Sequence, residues 1–349
     1  MNDRARSARS AQNAPAPTPT SAAVARHAGV SRATVSYVLN GQAAGKVSAA
    51  TQAKVKKAAR ELGYVPHAAA RSLRSGSSGL VLIAVPADRV PAFGPLFSAF
   101  IARFQTELER HGYTGVLHGA RADGSPEDTA RAWAELRPAA VLTTFGAPLT
   151  ADSVDILLRS GTRAVLSFGP PPAPGAHGIT MDQEEIGAVA AAHLLSSGRR
   201  RLGVVVPRER GLDPFSGPRL AGARAAARAF PGAAVTPLPL AYTEESAARL
   251  VAQTRELDAV FAYNDEYAML LMRALQDAGV DIPGDLAVVG ADDLLLARLL
   301  RPRLTSVRTR LPEPGEVAAL VDRLISDSSV VPGERFRSTA QIEVRESSG

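Results

Sequence analysis

The chain has 349 residues, 46% of them hydrophobic and 21% charged, enough for two or three domains with sizeable cores. It contains no cysteine, which excludes disulfides, thiolate nucleophiles and cysteine-bound metals. No apolar run is long enough to span a bilayer, and the N-terminus has Arg but no apolar core of a secretory signal, so a cytoplasmic location is expected.

The charge is unevenly spread. Residues 1–76 hold twelve Arg and Lys against two acids, Asp3 and Glu61, a net charge of +10; the whole chain is +6, so residues 77–349 carry −4. A basic head on a mildly acidic body suits polyanion binding. Charge alone leaves a merely basic, solvated helical domain equally open.

Residues 1–19 are Ala, Pro, Ser, Thr and Arg without periodicity and read as a disordered tail. Thr20 and Ser21 offer a capping hydroxyl before a helical run in which Ala23, Val24 and Ala28 share one side. Gly29 supplies a tight turn, Val30 packs inward, and Ser31 caps a second helix that runs to about Asn40 and ends at Gly41. Its buried face is Val35, Val38 and Leu39; Arg32, Ala33, Ser36 and Tyr37 lie outward. Helix, glycine turn, helix is the layout of a helix-turn-helix, whose second helix enters the DNA major groove. Arg32 can bond guanine edges through its fork, and Tyr37 can reach a phosphate or a base. A third helix, Ser48 to Leu62, closes the core with Val55, Ala58, Ala59 and Leu62, and exposes Lys54, Lys56 and Lys57 to phosphates.

Pro66 suits the first position of a further short helix, His67 to Leu73, which is marginal alone in water. Ser75 to Gly79 read as a flexible linker. From Leu80, short apolar runs alternate with helical stretches such as Phe97–His111 and Asn264–Ala278, the signature of parallel sheets built from βαβ units. Strands are expected at 80–85, 114–119, 139–145, 163–168, 202–206, 234–240, 259–263, 286–290 and 304–308, with a loop and crossover over 169–178.

The patterns AxxAGVSxxTVSxVLN, VSxxTxxKVxxAAxELGYxP and AxSLR resemble the head of the LacI/GalR (lactose repressor) family of bacterial transcriptional regulators, and the resemblance runs from Thr20 to about Arg345. It implies an all-α helix-turn-helix head plus an α/β periplasmic-binding-protein-like body of two doubly wound parallel-sheet subdomains. The expected divisions are a tail (1–19), the DNA-binding domain (20–64), a hinge helix and linker (65–79) and an effector-binding and dimerisation domain (80–345). Within the body, 80–178 plus a C-terminal piece would form one half and 182–308 the other. The family's base readers map onto Arg32, Ala33 and Tyr37, with Ser31, Thr34 and Ser36 on phosphates. Its hinge helix folds on the operator and pushes a leucine into the minor groove; here that residue is Leu73, flanked by Ala70 and Arg71.

For the effector, the resemblance implies Arg219, Asn264 and Asp292, with Asp88 and Phe93 on the opposite wall. Asp265 and Asp293 either line the cleft or cap the helices that follow them. Ala291 before the Asp pair and Phe168 at the end of the fourth strand depart from sugar-binding members, and leave a more apolar ligand, or none, open beside a sugar. Implied partners are a near-palindromic double-stranded operator, a small molecule such as a sugar or related metabolite, and a second copy of the chain pairing along Phe97–Glu109. No membrane partner and no cofactor are expected. No leucine heptad follows QIEVR, so no tetramer-forming coiled coil is expected.

There is no Walker lysine loop, HExxH or nucleophile elbow, and the six His show no metal spacing; His193 reads as structural. The reading is therefore a DNA-binding regulator, not an enzyme, controlled by a small molecule in the body. The alternative is a solute-binding or transport receptor of the same body fold, which the basic head and the missing signal sequence disfavour.

Overall fold

The computed structural model describes residues 19–39, 43–65, 78–86, 95–120, 124–144, 149–169, 171–209 and 211–349. It divides into two compact units, Met1–Ser78 and Gly79–Gly349.

The first unit contains three described helices. Helix α1 (Ser21–Ala28) starts where the Thr20 hydroxyl accepts a hydrogen bond from the Ala23 amide, and stops at Gly29, whose φ of 66° is left-handed. Helix α2 (Arg32–Leu39) is capped by Ser31, whose Oγ accepts from the Thr34 amide at 3.1 Å. Helix α3 (Ala49–Glu61) is capped by Ser48 in the same way. Val24, Ala25, Val35, Val38, Val55, Ala58 and Ala59 form one small core. Ala25, rather than the expected Ala23, shares the fully buried side with Val24. Asn40 to Gln42, and so the expected stop at Gly41, lie outside the described residues.

The second unit holds two six-stranded sheets. The first has the order β11-β5-β4-β3-β1-β2 and the second β12-β10-β9-β8-β6-β7. In the first are β1 (Leu80–Pro86), β2 (Thr114–Ala120), β3 (Ala140–Thr144), β4 (Ala164–Gly169), β5 (His177–Thr180) and β11 (Gly333–Arg337). In the second are β6 (Arg201–Pro207), β7 (Ala234–Leu240), β8 (Ala259–Phe261), β9 (Ala287–Ala291), β10 (Thr305–Arg310) and β12 (Thr339–Glu343). All pairings are parallel except β10 with β12. Both faces of a parallel sheet need cover, which is why the central strands read as unbroken apolar runs: β3 and β4 are buried at every position.

All nine expected strand segments form. The expected loop over 169–178 is corrected at its end: His177 and Gly178 open β5, and the crossover follows at Met181–Asp182. HGIT has no apolar run to announce it; it is a strand because β4 and β11 pair with it on either side. The chain returns to the first half at helix α12 (Pro314–Ser326) and β11, then crosses again to β12.

Helix α4 (Pro95–Arg110) settles a further expectation. Phe97, Phe100, Ile101, Phe104 and Leu108 are buried in the first-half core with Val317 and Val321 of α12. The phenylalanines are therefore unavailable to a second copy; Ser98, Ala99, Ala102, Arg103 and Thr106 form the outward face.

Candidate functional site

The outer side of α2 presents Arg32, Ala33 and Tyr37 to solvent, with Tyr37 39% exposed. Ser36 is half-buried beside them. Ser31 and Thr34 are tied to each other: their hydroxyls lie 2.9 Å apart as part of the cap. A phosphate contact from either would coexist with that cap. The head also contains a residue that the sequence reading passed over. The Lys46 ammonium sits 5.0 Å from the Tyr37 ring centroid, a cation–π contact that places a second positive charge beside α2. The long loop before α3 gave no spacing by which to predict it. Lys54, Lys56 and Lys57 are exposed on α3. Ala70, Arg71 and Leu73 lie outside the described residues.

In the body, three separate stretches converge. Arg219 lies on helix α8 (Asp213–Ala227), is 5% exposed, and donates through Nε to Gln183 Oε1 at 2.8 Å and through Nη1 to the Tyr263 carbonyl. Its guanidinium also lies 4.7 Å from the Tyr263 ring centroid. Gln183 opens helix α7 (Gln183–Ser196). The two helices can approach because each carries a glycine at the crossing. A Cβ on Gly187 would meet the Arg219 carbonyl oxygen at 1.9 Å, and one on Gly222 would meet the Glu184 carbonyl oxygen at 1.9 Å.

Asn264 caps helix α10 (Asp265–Asp277): its Oδ1 accepts from the Tyr267 amide at 3.0 Å. Its side chain also bonds the Asp292 carboxylate. Asp292, just past β9, has φ of 95°, a left-handed backbone that only a constrained loop holds in a non-glycine residue. Burial pushes its carboxyl up, while Arg219 and Asn264 pull it back towards the charged form. Arg219, Asn264 and Asp292 therefore share one electrostatic cluster.

The neighbouring acids differ in role. Neither caps a helix with its side chain. Asp265 is fully buried; its carboxyl accepts from Ser306 Oγ at 2.6 Å and the Leu294 amide at 2.7 Å, and burial pushes it up to about 8. Asp293 accepts from Arg308 at 2.6 and 2.9 Å and from Arg345, with Arg298 at 3.5 Å. Burial raises the Asp293 carboxyl, but bonds from those arginines outweigh it and hold the group below its ordinary value. Both aspartates bind their own chain, not the cleft.

Beside Arg219 lies a cavity of about 420 Å³ lined by Gly169, Met181, Gln183, Phe215, Pro218 and Arg337. It draws on both halves and on the crossing segments between them, and Phe215 packs against the cores of both halves. Phe168 does not face it; that ring is fully buried against Phe97 and Phe100. The cavity is met instead by Gly169 and Pro171. Gln183, Tyr263 and the Tyr242–Glu209–Tyr267 cluster were not found from sequence. Tyr263 ends an expected strand, but nothing in the spacing pairs Gln183 with Arg219. Asp88 and Phe93 lie outside the described residues. His193 bonds Ser348 at 2.8 Å, a contact inside the second half.

A profile of bacterial regulatory proteins of the lacI family matches residues 22–67, and one of periplasmic binding protein-like domains matches residues 191–348. The chain is 33% identical to the HTH-type transcriptional regulator GntR of Pseudomonas aeruginosa, over 92% of each chain. It belongs to the LacI family. Like its relatives in that family, it is a DNA-binding transcriptional regulator with an effector-binding domain, and not an enzyme. A second LacI-family relative is the regulator CelR of Thermobifida fusca, 31% identical over 89% of this chain and 93% of that one. Among solved structures, a CelR–cellobiose complex matches with a TM-score of 0.63 and 28% identity, covering 94% of this chain and 99% of that chain. A lac repressor dimer bound to operator and the anti-inducer ONPF shares the fold, with a TM-score of 0.73 at 21% identity, covering 95% and 99%. Among the described residues no helix is long and apolar enough to cross a membrane.

Proposed function

We propose that the chain is a cytoplasmic repressor that acts as a homodimer on a near-palindromic operator and is released or held there by a small molecule in the 420 Å³ cavity beside Arg219. In the head, Arg32, Ala33 and Tyr37 read bases from the exposed side of α2, and Ser31, Thr34 and Ser36 meet phosphates. Leu73, with Ala70 and Arg71, forms the minor-groove wedge of a hinge helix within residues 65–79. Leu73→Ala weakens specific binding and bending while leaving low-salt non-specific binding intact, measured by gel shift at two salt concentrations; equal loss of both removes the wedge role.

The observation that carries ligand control is the buried Arg219–Asn264–Asp292 cluster against a cavity shared by both halves. A ligand there bridges the halves, and its preference for one arrangement of them sets operator affinity. The test is a thermal-shift screen of sugars, nucleosides and small acids, followed by operator release with the compound that binds. Arg219→Ala is expected to abolish the response at unchanged operator affinity. A fully responsive variant takes Arg219 out of the pocket.

A further inference from the structure

Gln183 is 8% exposed, lines the cavity, and has its Nε2 buried without a hydrogen-bond partner among the described residues. The orientation of this amide is not free. Arg219 Nε carries a hydrogen and can only donate, so the atom facing it at 2.8 Å must be the Gln183 oxygen. The amide nitrogen is thereby turned away from Arg219, with two N–H donors and no acceptor. A buried unsatisfied donor is costly, so the position is poised for an acceptor brought from outside.

The rest of the lining fixes the kind of acceptor. Pro171, Met181, Pro214, Phe215 and Pro218 make the walls largely apolar. The ionisable lining groups are Asp182, Glu184 and Arg337, two acids against one base. Asp182 is already occupied: it caps α7 through the Glu185 amide at 2.9 Å and accepts from Arg337 at 3.1 Å. A surplus of negative charge disfavours an anion. Apolar walls offer little to a ring of hydroxyls, each of which would need a partner on entering.

We infer that the effector is a small, neutral, largely apolar carbonyl compound whose carbonyl oxygen accepts from Gln183 Nε2, and that Gln183 is the residue that selects it. This rests on the ligand-controlled reading of the same cavity. Arg219 then acts through Gln183 as well as beside it, since it fixes which end of the amide faces the ligand.

The test uses the full-length protein and four probes: methyl phenylacetate, phenylacetate, cellobiose and D-ribose, each by thermal shift and titration calorimetry. The neutral ester is expected to bind, and the matched acid at least about tenfold more weakly. Gln183→Glu keeps an oxygen towards Arg219 but replaces the donor towards the cavity by an acceptor. It should weaken the ester by about 30-fold or more with the unliganded melting temperature retained. Gln183→Ala, which removes the donor without adding charge, gives the same loss should the first variant fold poorly. Equal ester binding by wild type and either folded variant overturns the role of Gln183. Absence of ester binding overturns the ligand class. If cellobiose or ribose binds and shifts operator affinity instead, the regulator reading stands and this inference falls.

Discussion

Two adjacent aspartates, Asp292 and Asp293, show how one residue step divides ligand chemistry from structure. Asp292 shares its charge with Arg219 and Asn264 next to the cavity. Asp293, with its side chain 3% exposed, is locked by Arg308 and Arg345 under the second sheet. Breaking such a buried pair strands charges, so Asp293→Asn is expected to cost about 3 kcal/mol in urea unfolding at neutral pH. Its carboxyl is held low when folded, so its contribution is present above the ordinary value of 3.8 and disappears as pH falls through the folded one. Asp265 runs the opposite way. Its carboxyl is raised from 3.8 to about 8, so the protonated form is favoured by folding. That contribution is complete below 3.8 and is lost as pH climbs through about 8. Asp265→Asn should therefore flatten the stability-versus-pH curve between those limits and gain relative to wild type near pH 8. An unchanged slope would mean that Asp265 is ionised in the fold.

At the scale of elements, the site is made by the α7–α8 crossing. Gly187 and Gly222 let two backbones approach, and that approach brings Gln183 to Arg219. Gly187→Val is expected to destabilise by about 1–3 kcal/mol through overpacking and also to uncouple ligand from operator, read by chemical unfolding and operator release together. Much of this level was legible in the sequence. The helix-turn-helix announced itself by a capping Thr20, a turning Gly29 and a capping Ser31, all local rules. The nine expected strands stood out because parallel strands buried on both faces read as apolar runs. The three that escaped, β5, β11 and β12, are short or polar and exist through pairing across long sequence separations. Arg219, Asn264 and Asp292 were placed by resemblance; Gln183 escaped because a lone Gln at a helix start carries no pattern, and its partner lies 36 residues away. Phe97 to Leu108 misled because an apolar helix stripe signals burial without saying what covers it.

Across the whole molecule, function follows from a division of charge. The first 76 residues carry +10 and the remainder −4, so affinity for a polyanion belongs to the head, while the body holds the buried ligand cluster. Control must then reach DNA through the segment joining the two units, where the short hinge sequence is too brief to be helical without packing partners. The central claim is that the exposed side of α2 reads sequence. It is tested most directly by selecting binding sites from random duplexes with wild type and with Arg32→Ala. The account predicts a near-palindromic site for the wild type, and for the variant a loss of preference at one position in each half-site, worth about 1–3 kcal/mol. Recovery of the same site with undiminished preference by Arg32→Ala, or of no preferred site by the wild type, would contradict it.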